Sequence, residues 1–356
     1  MEHAAKELAA KKPRQVYKEM VLTDEANAPK DIQQLRDLKH RNEKKTKTTT
    51  GNNIVDEVLQ VLSMLNDNNF VQKVKHVKGH IPSIILYSEE QIIDFQKFID
   101  HSDSSRVAID RTFNLGCFYV TSFVYKSHRV VRKDTLDHPI FVGPVFLHKE
   151  ANFEKYHYFL SHINAKLTNS IDNFDIILPP NIHIGSDDEK TLTKAIDSVF
   201  PNSKRSLCTK QMKENVNDYL RNKIGVKTVE RLKVMDAIFG EEGILNAEDS
   251  YQFEQRSAAA STLMVPLSNE FLQYFNKTLK PKLLINFNNL GTECLYSANR
   301  WTNNNAESIH NIMKIDTNWK LQSASSLINI LEDMIKLQFL HFGRYDKTTI
   351  STFWKI

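Results

Sequence analysis

From residue 54 onward, apolar residues recur with the periods of regular secondary structure. A helical period runs through residues 54–65, and a second helical pattern opens at Ser88 and continues through Phe98. The apolar positions of the first pattern are Val55, Val58, Leu59, Leu62 and Leu65. Together the two patterns predict a helical lead-in over residues 54–104.

Three runs rich in β-branched and aromatic residues follow the lead-in. They cover Arg106–Phe113, Cys117–Tyr125 and Pro139–Leu147, and turn residues separate them. Neighbouring runs need only hairpin connections to pair with each other. The sequence therefore predicts three successive strands of one sheet.

The next segment alternates between helical and strand-like patterns. Apolar residues at helical spacing occupy residues 153–163, a buried strand is predicted at Ile182–Ile184, and a helix is predicted at about Glu189–Phe200. Ser206–Cys208 is a candidate fifth strand. Because the later strands need crossover connections, the predicted fold class is α/β with a mixed sheet.

Residues from Lys210 to about Phe287 show only helical periodicity, which predicts an all-α insertion. Two last helices are predicted at about Asn305–Lys314 and Ser325–Phe342. We divide the chain into a basic arm and linker (1–53), the helical lead-in (54–104), the first part of the sheet core (105–208), the helical insertion (209–300) and the final helices (301–356).

Composition narrows the class of protein. The 356 residues are 41% apolar and 25% charged, which is typical of a globular protein. No apolar run approaches the roughly 18 residues of a membrane span, so no membrane partner is expected. The N-terminus lacks the apolar segment of a secretory signal, so the chain is expected to stay inside the cell. Three widely separated cysteines disfavour a disulfide framework and a cysteine-type zinc finger, so any metal should be bound by oxygen.

The positive net charge of +4 is concentrated near the N-terminus. Residues 1–50 contain 12 Lys/Arg and 8 Asp/Glu, and the remainder of the chain contains 35 of each kind. The densest basic stretch, Arg36–Lys47, precedes a Thr, Gly and Asn segment that is typical of a linker. The stretch is either a nucleic-acid-binding arm or a solvated tail. In the first case its DNA contacts would include Arg36, Lys39, Arg41, Lys44 and Lys45.

Asp110 lies inside the apolar run 107–110. An ionised carboxylate that is buried without a partner is strongly destabilising. We therefore expect Asp110 to pair with a cation, which is either Arg111 or Lys133 in a salt bridge or a bound metal ion.

Asp187 and Asp188 follow the fourth predicted strand and open a helix. Ser186 with Glu189 fits a capping box, and acidic residues in a first turn complement the helix dipole. Capping explains Glu189, but it does not require two adjacent aspartates, because their charges repel each other. A metal site is the alternative for this pair.

Glu307 lies near the start of a later helix, and Asn304 three residues before it permits a second capping box. Glu307 also completes a pattern with Asp110 and Asp187: a carboxylate on the first core strand, one after the fourth, and one on a later helix. A ribonuclease H-like core assembles its metal site in this order, and its first and fourth strands are neighbours. Such oxygen ligands suit two Mg²⁺ or Mn²⁺ ions.

Four ordered blocks of sequence are distinctive. They are Ile109–Thr121 (IDRTFNLGCFYVT), His138-Pro139 with Gly143–His148 (GPVFLH), Gly185–Glu189 (GSDDE) with Phe200-Pro201, and Trp301–Ser308 (WTNNNAES). Together they resemble the transposases of Mutator-like elements, in particular the Phantom-like branch. The resemblance covers roughly Arg14 to Phe342.

This resemblance implies a DDE recombinase on a ribonuclease H-like mixed sheet, with the all-α insertion before the last catalytic helix. Asp110, Asp187 and Glu307 would be catalytic residues and would bind two Mg²⁺ or Mn²⁺ ions. The reaction would be metal-dependent cleavage at transposon ends, followed by attack of a 3′-OH on target DNA. A nuclear location and a homodimer are expected by analogy, because two transposon ends must be joined.

The sequence also departs from the family pattern. Relatives have Cys-x-x-His after the fifth strand, whereas here Cys208 is followed by Gln211, and an amide cannot take up a proton as an imidazole does. Cys208 alone is equally compatible with a small buried side chain. The family's zinc-binding module is not found before the core. A domesticated, non-catalytic DNA-binding or protein-interaction module therefore stays open as a second function, and a nuclease without strand transfer as a third.

DNA binding by a core without excess charge requires local basic clusters. We expect Lys204 and Arg205 to be the first of these, because they adjoin the predicted fifth strand. Trp301 and Trp319 either stack on unpaired bases or pack in the core.

Overall fold

A computed structural model of the protein describes residues 54–76, 81–100, 106–127, 131–132, 136–168, 182–288, 301–346 and 354–355, with a few single positions before residue 54. The chain divides into two compact units, residues 1–60 and 61–356. Within the first unit, the continuous described segment is the first half of helix α1 (Ile54–Asp67). Every other element named below belongs to the second unit.

The described residues form nine strands and eleven α-helices. The strands are β1 (Val71–Lys75), β2 (Ser83–Leu86), β3 (Arg106–Thr112), β4 (Tyr119–Lys126), β5 (Val131–Arg132), β6 (Ile140–His148), β7 (His183–Ser186), β8 (Lys204–Leu207) and β9 (Trp354–Lys355). The helices after α1 are α2 (Glu89–Asp100), α3 (Phe153–Thr168), α4 (Lys190–Val199), α5 (Thr209–Asp218), α6 (Thr228–Phe239), α7 (Ser250–Met264), α8 (Asn269–Tyr274), α9 (Lys280–Asn288), α10 (Asn304–Asp316) and α11 (Ala324–Asp346). Among these described helices, none combines the length and the apolar character that crossing a membrane requires.

Seven strands form one mixed sheet in the order β1-β2-β6-β4-β3-β7-β8. Strands β3, β4 and β6 pair antiparallel, whereas β7 pairs parallel with β3 and β8 pairs parallel with β7. The α/β class with a mixed sheet is therefore confirmed, and so is the predicted pairing of the first core strand with the fourth. This pairing puts the ends of β3 and β7 side by side.

Each face of the sheet is covered by helices, because both sets of alternating strand residues are apolar. On one face, Val107 and Ile109 of β3 belong to a core that includes residues of α2, α3 and α4. On the other face, Ala108 belongs to a core with apolar residues of α10 and α11. Helix α10 is thus on the face to which alternation assigns Asp110.

The helical insertion has an apolar core of its own, formed by residues of β8 and of the helices α5–α9. Asn286 of α9 connects it to the sheet: its Oδ1 accepts a hydrogen bond from the Leu207 amide at 2.7 Å, and its Nδ2 donates to the Leu207 carbonyl at 2.9 Å. The predicted run of helices after the fifth strand is confirmed. The insertion therefore follows directly from the strand next to β7.

The prediction of a purely helical lead-in was wrong for residues 71–75 and 83–86, which form β1 and β2. These strands extend the sheet beyond β6. All four residues of β2 are buried, so its short run shows no alternation that would distinguish a strand from a helix turn. Pairing with β1 on one side and β6 on the other makes this segment a strand.

Candidate functional site

The ends of β3 and β7 bring two of the predicted acidic residues together. Ile109 of β3 pairs with Ser186 of β7 in the parallel ladder. Asp110 and Asp187 are the next residues along these two adjacent strands. Neighbouring strands lie about 4.8 Å apart. Burial raises the pKa of Asp110 to about 7, and the second cause of this shift is the charge of Asp187. The two carboxylates are therefore close enough to repel each other.

Asp110 has one firm donor and one longer contact. Its Oδ1 accepts a hydrogen bond from the Arg111 amide at 2.7 Å, and its Oδ2 lies 3.5 Å from Nδ1 of His310. The expected side-chain salt bridge with Arg111 is absent among the described contacts, because that guanidinium lies 3.5 Å from Glu189 instead. Lys133, the other expected partner, is outside the described residues.

His310 extends the site on the buried side of α10. Burial lowers the pKa of His310 to about 4, with a further contribution from the charge of Lys314, so the ring is neutral at pH 7. Its Nε2 is buried and has no hydrogen-bond partner within the described part of the chain. Ser122, which pairs with Asp110 across β3 and β4, likewise has a buried Oγ without a described partner.

Asp187 is held by two amide side chains. Asn303 donates from Nδ2 to Oδ1 at 3.3 Å. With its nitrogen turned towards the carboxylate, Gln211 donates to Oδ1 at 3.0 Å and to Oδ2 at 3.2 Å. Burial raises the pKa of Asp187 and the Asn303 bond opposes this, while the charge of Glu307 raises it further. Gln211 thus contacts an aspartate of the candidate site through an amide.

Glu307 is exposed at the start of α10, and Lys210 of α5 binds both of its carboxylate oxygens, at 3.1 and 2.8 Å. The charge of Glu307 contributes to the raised pKa of Asp110 and of Asp187. The three predicted acidic residues therefore interact electrostatically. In the described structure, however, the Glu307 side chain is paired with a lysine.

The two capping boxes predicted from the sequence were wrong. The N-cap of α4 is Glu189 and that of α10 is Asn303, and neither position has a side-chain capping hydrogen bond. Glu189 instead accepts a hydrogen bond from the Tyr156 hydroxyl at 2.9 Å, and Asp188 pairs with Lys282 of α9. The acidic side chains available for capping α4 thus bind residues that are distant in the sequence.

The three residues before α10, residues 301–303, contact both β7 and α5, and we call them the leading loop. The Trp301 ring covers Gly185 so closely that a Cβ at that glycine would lie 2.2 Å from a ring carbon. The Trp301 carbonyl accepts a hydrogen bond from the backbone amide of Thr209 at 2.9 Å. The backbone amide of Asn303 donates to Sγ of Cys208 at 3.5 Å. Core packing is thus the role of Trp301, and Cys208 is a small buried residue.

The two predicted DNA-binding cations of the sheet core, Lys204 and Arg205, lie at different distances from the acidic site. Lys204 pairs with His183 at the start of β7, whereas Asp187 follows the end of that strand, roughly 13 Å away along it. The Arg205 side chain is only 11% exposed and pairs with Asp197 at 3.1 Å. Arg205 also donates from Nη2 to Oγ of Ser186, the residue before Asp187, at 3.4 Å, so it lies nearer to the acids than Lys204 does. DNA binding by these two residues stays a prediction. The predicted arm contacts Arg36, Lys39, Arg41, Lys44 and Lys45 lie outside the described residues.

Sequence reasoning missed three residues of the site, namely His310, Asn303 and Lys210. His310 had a usable signal, because positions three apart lie on the same side of a helix and Glu307 is three residues earlier. Asn303 and Lys210 had none, since their partners are more than 90 residues away along the chain.

The donor set suits a hard divalent cation in its chemistry. It offers carboxylate oxygens from Asp110 and Asp187, whose pKa values are raised because buried negative charge there lacks compensation. Within the described ranges, no group of three or more His, Cys, Asp or Glu side chains is gathered as a metal site. The two aspartates therefore fit such a cation, and Glu307 would join them only after leaving Lys210.

No known protein-family model matches the sequence, and no curated protein matches it significantly. The chemistry of the site therefore has to be argued from its own residues.

Proposed function

We propose that this protein is a DDE-type transposase related to those of Mutator-like elements, which cleaves DNA and transfers its strands with the help of Mg²⁺ or Mn²⁺. Asp110, Asp187 and Glu307 are its proposed catalytic residues. The observation that carries the proposal is that β3 and β7 end side by side and so bring Asp110 and Asp187 together, with Glu307 at the start of α10 near enough for its charge to act on both. The mixed sheet alone would not support it, since many functions use such sheets.

The order of the strands supports a ribonuclease H-like core. Its three antiparallel strands would be β3, β4 and β6, and its two parallel additions β7 and β8. The described helices α5–α9, which follow β8, correspond to the insertion expected before the catalytic helix. On this view β1 and β2 are additions at the far edge of the sheet.

In the proposed chemistry, Asp110 and Asp187 hold divalent cations, and Glu307 completes the set. Bound by these residues, divalent cations would supply the Lewis acidity that phosphoryl transfer at a scissile phosphate needs. His310 keeps the Asp110 carboxylate oriented through its Nδ1 contact. The amides of Asn303 and Gln211 hold Asp187 without exchanging protons with it.

A second candidate function is a non-catalytic, domesticated module that binds DNA or another protein. One observation favours it: Lys210 occupies both oxygens of Glu307, so this glutamate is already neutralised without a metal. In such a protein the three acids would have a structural role only.

A cleavage assay separates the two functions. The full chain is incubated with end-labelled DNA in Mg²⁺ or Mn²⁺, alongside Asp110→Asn, Asp187→Asn and Glu307→Gln. Glu270→Gln is the matched control, because Glu270 is also an exposed glutamate paired with a lysine, Lys223, at 2.8 Å. We expect metal-dependent nicking that the three site variants lose and the control retains.

Nicking that is absent, or that survives in all three variants, would reject the catalytic function. Products in which one DNA is joined to another would favour a transposase over a simple nuclease. Because joining two ends requires two active sites, we also propose a homodimer on paired ends and a nuclear location. Sedimentation with DNA ends tests the first and imaging of a tagged chain tests the second.

A further inference from the structure

Two large aromatic side chains are exposed at the end of α10 that lies away from Glu307. Phe113, which follows β3, is 55% exposed, and Trp319, which follows α10, is 67% exposed. The Lys314 ammonium lies 5.9 Å from the Phe113 ring centroid and 5.8 Å from the Trp319 ring centroid. We call these three residues the aromatic platform. One cation is thus flanked by two rings that face solvent.

The backbone at Trp319 has a left-handed conformation, which is unfavourable for a tryptophan. Asn318 and Trp319 have φ of 51° and 57°, in the left-handed region. Asparagine is common there, but for a bulky residue this conformation is destabilising. An exposed ring offers little packing in return, so the fold itself does not explain why tryptophan occupies this position.

Backbone contacts hold the two parts of the platform together. The trailing loop after α10, residues 317–322, returns to the connection between β3 and β4, where the Gln322 amide donates to the Leu115 carbonyl at 2.9 Å. Gly116 permits this approach, since a Cβ there would lie 2.7 Å from the Gln322 oxygen. The platform is therefore set on backbone that is fixed relative to β3 and α10.

The surroundings of the platform are basic and adjoin the acidic site. Phe113 borders a cavity of about 390 Å³ that Arg111 and Lys149 also line. Lys314 is one helical turn beyond His310, which contacts Asp110, and about 10 Å along α10 from Glu307. An occupant of the platform would thus lie next to the carboxylates and beside several positive charges.

We propose that Phe113, Lys314 and Trp319 bind unpaired bases of a single DNA strand next to the reacting phosphate. Exposed aromatic rings stack on bases of any sequence, and a neighbouring lysine attracts the phosphates between them. A paired duplex does not offer its base faces, so the platform favours the single strand. The inference rests on DNA as the substrate proposed above, but it does not require that the protein be catalytic.

The test measures equilibrium binding of a fluorescent single-stranded oligonucleotide by the full chain in EDTA, so that no cleavage interferes. We expect Trp319→Asn to weaken binding about 5- to 100-fold, the range for loss of one base–aromatic stack, and Trp319→Phe to retain most of the affinity. Lys314→Gln should lower the salt slope of the affinity by about 0.7, the value for one phosphate contact on a single strand. Tyr251→Ala, which removes another exposed aromatic ring, in α7, should change nothing.

Three results would overturn the proposal. They are absence of single-strand binding by the parent chain, an equal loss on a duplex of the same sequence, and unchanged binding by Trp319→Asn. A drop in sedimentation mass in Trp319→Asn, without a change in DNA affinity, would assign the surface to contact with a second copy instead. Binding that depends on Trp319 in a chain that never nicks DNA would keep this inference and reject only the catalytic function.

Discussion

Each of the two loops that flank α10 contains a tryptophan, but the two side chains differ in packing, in exposure and in backbone conformation. In the leading loop, Trp301 covers Gly185 and its carbonyl accepts a hydrogen bond from α5. In the trailing loop, Trp319 projects into solvent from a left-handed backbone. The first loop packs against β7 and α5 beside Asp187, and the second displays an exposed ring.

The contrast teaches that residue type alone does not assign a role, whereas burial and backbone conformation do. At the closed end, substitutions of buried residues should change the free energy of unfolding, and for Asp110 the change should depend on pH. At the open end, substitutions should leave stability intact or raise it, and should affect binding.

The largest expected effect is the pH dependence of the closed end. The pKa of Asp110 is raised from 3.8 to about 7 in the folded protein, so its contribution to stability is present below pH 4 and is lost as pH rises through 7. Asp110→Asn should therefore stabilise the protein more at about pH 8 than at about pH 4.5, by up to about 3 kcal/mol. Urea unfolding of the parent protein and of Asp110→Asn, in EDTA at the two pH values, measures this difference in stabilisation. An equal change in the free energy of unfolding at the two pH values would contradict the prediction.

A second change tests the packing of the leading loop. Gly185→Ala introduces a Cβ that would lie 2.2 Å from the Trp301 ring, so the ring or the strand has to move. We expect a loss of about 2–3 kcal/mol in the free energy of unfolding. Trp301→Leu in the same chain should recover part of it, because the smaller side chain leaves room. Purely additive effects of the two substitutions would show that the two residues do not contact each other.

The trailing loop should respond in the opposite direction. Trp319→Asn replaces a bulky residue at a φ of 57° with one that tolerates this conformation. We expect the free energy of unfolding to stay unchanged or to rise by up to about 1 kcal/mol. A clear loss of stability in thermal or urea unfolding would instead mean that the ring packs against the protein.

The smallest expected effect concerns the ion pair next to the leading loop. Lys210 and Glu307 are both about half exposed, so water screens their attraction. Lys210→Met should leave the unfolding midpoint almost unchanged. A marked shift in the midpoint would show that this pair, and not the apolar contacts of α10, holds the helix in place.

The sequence predicted the sheet-forming runs well, because each carries a dense local pattern of β-branched and aromatic residues. It failed for β2, whose four residues are all buried and so show no alternation. It also failed for both capping boxes, since Glu189 and Glu307 bind side chains that lie more than 30 residues away. Local spacing permitted the caps, but it carried no information about competing partners.

Among the site residues, the two aspartates could be anticipated and their surroundings could not. A carboxylate inside an apolar strand can be recognised from the sequence itself, and the pairing of β3 with β7 was expected from the likeness of the acidic pattern to a ribonuclease H-like core. The donors on Asp187 come from α5 and from the leading loop, whose approach depends on how the helical insertion is packed.

Periodicity along the chain was thus enough to predict the α/β class and the run of helices after the fifth strand, and the likeness of the acidic pattern to a ribonuclease H-like core predicted that Asp110 and Asp187 are neighbours. These follow from the chain alone because hydrophobic spacing acts over a few residues and parallel pairing constrains which strand ends meet. Only the folded arrangement decided three things: the partner of Glu307, the distance of Lys204 from the aspartates, and the different exposure of Trp301 and Trp319. They depend on which distant side chains and backbone groups compete for the same space, and that competition exists only after packing.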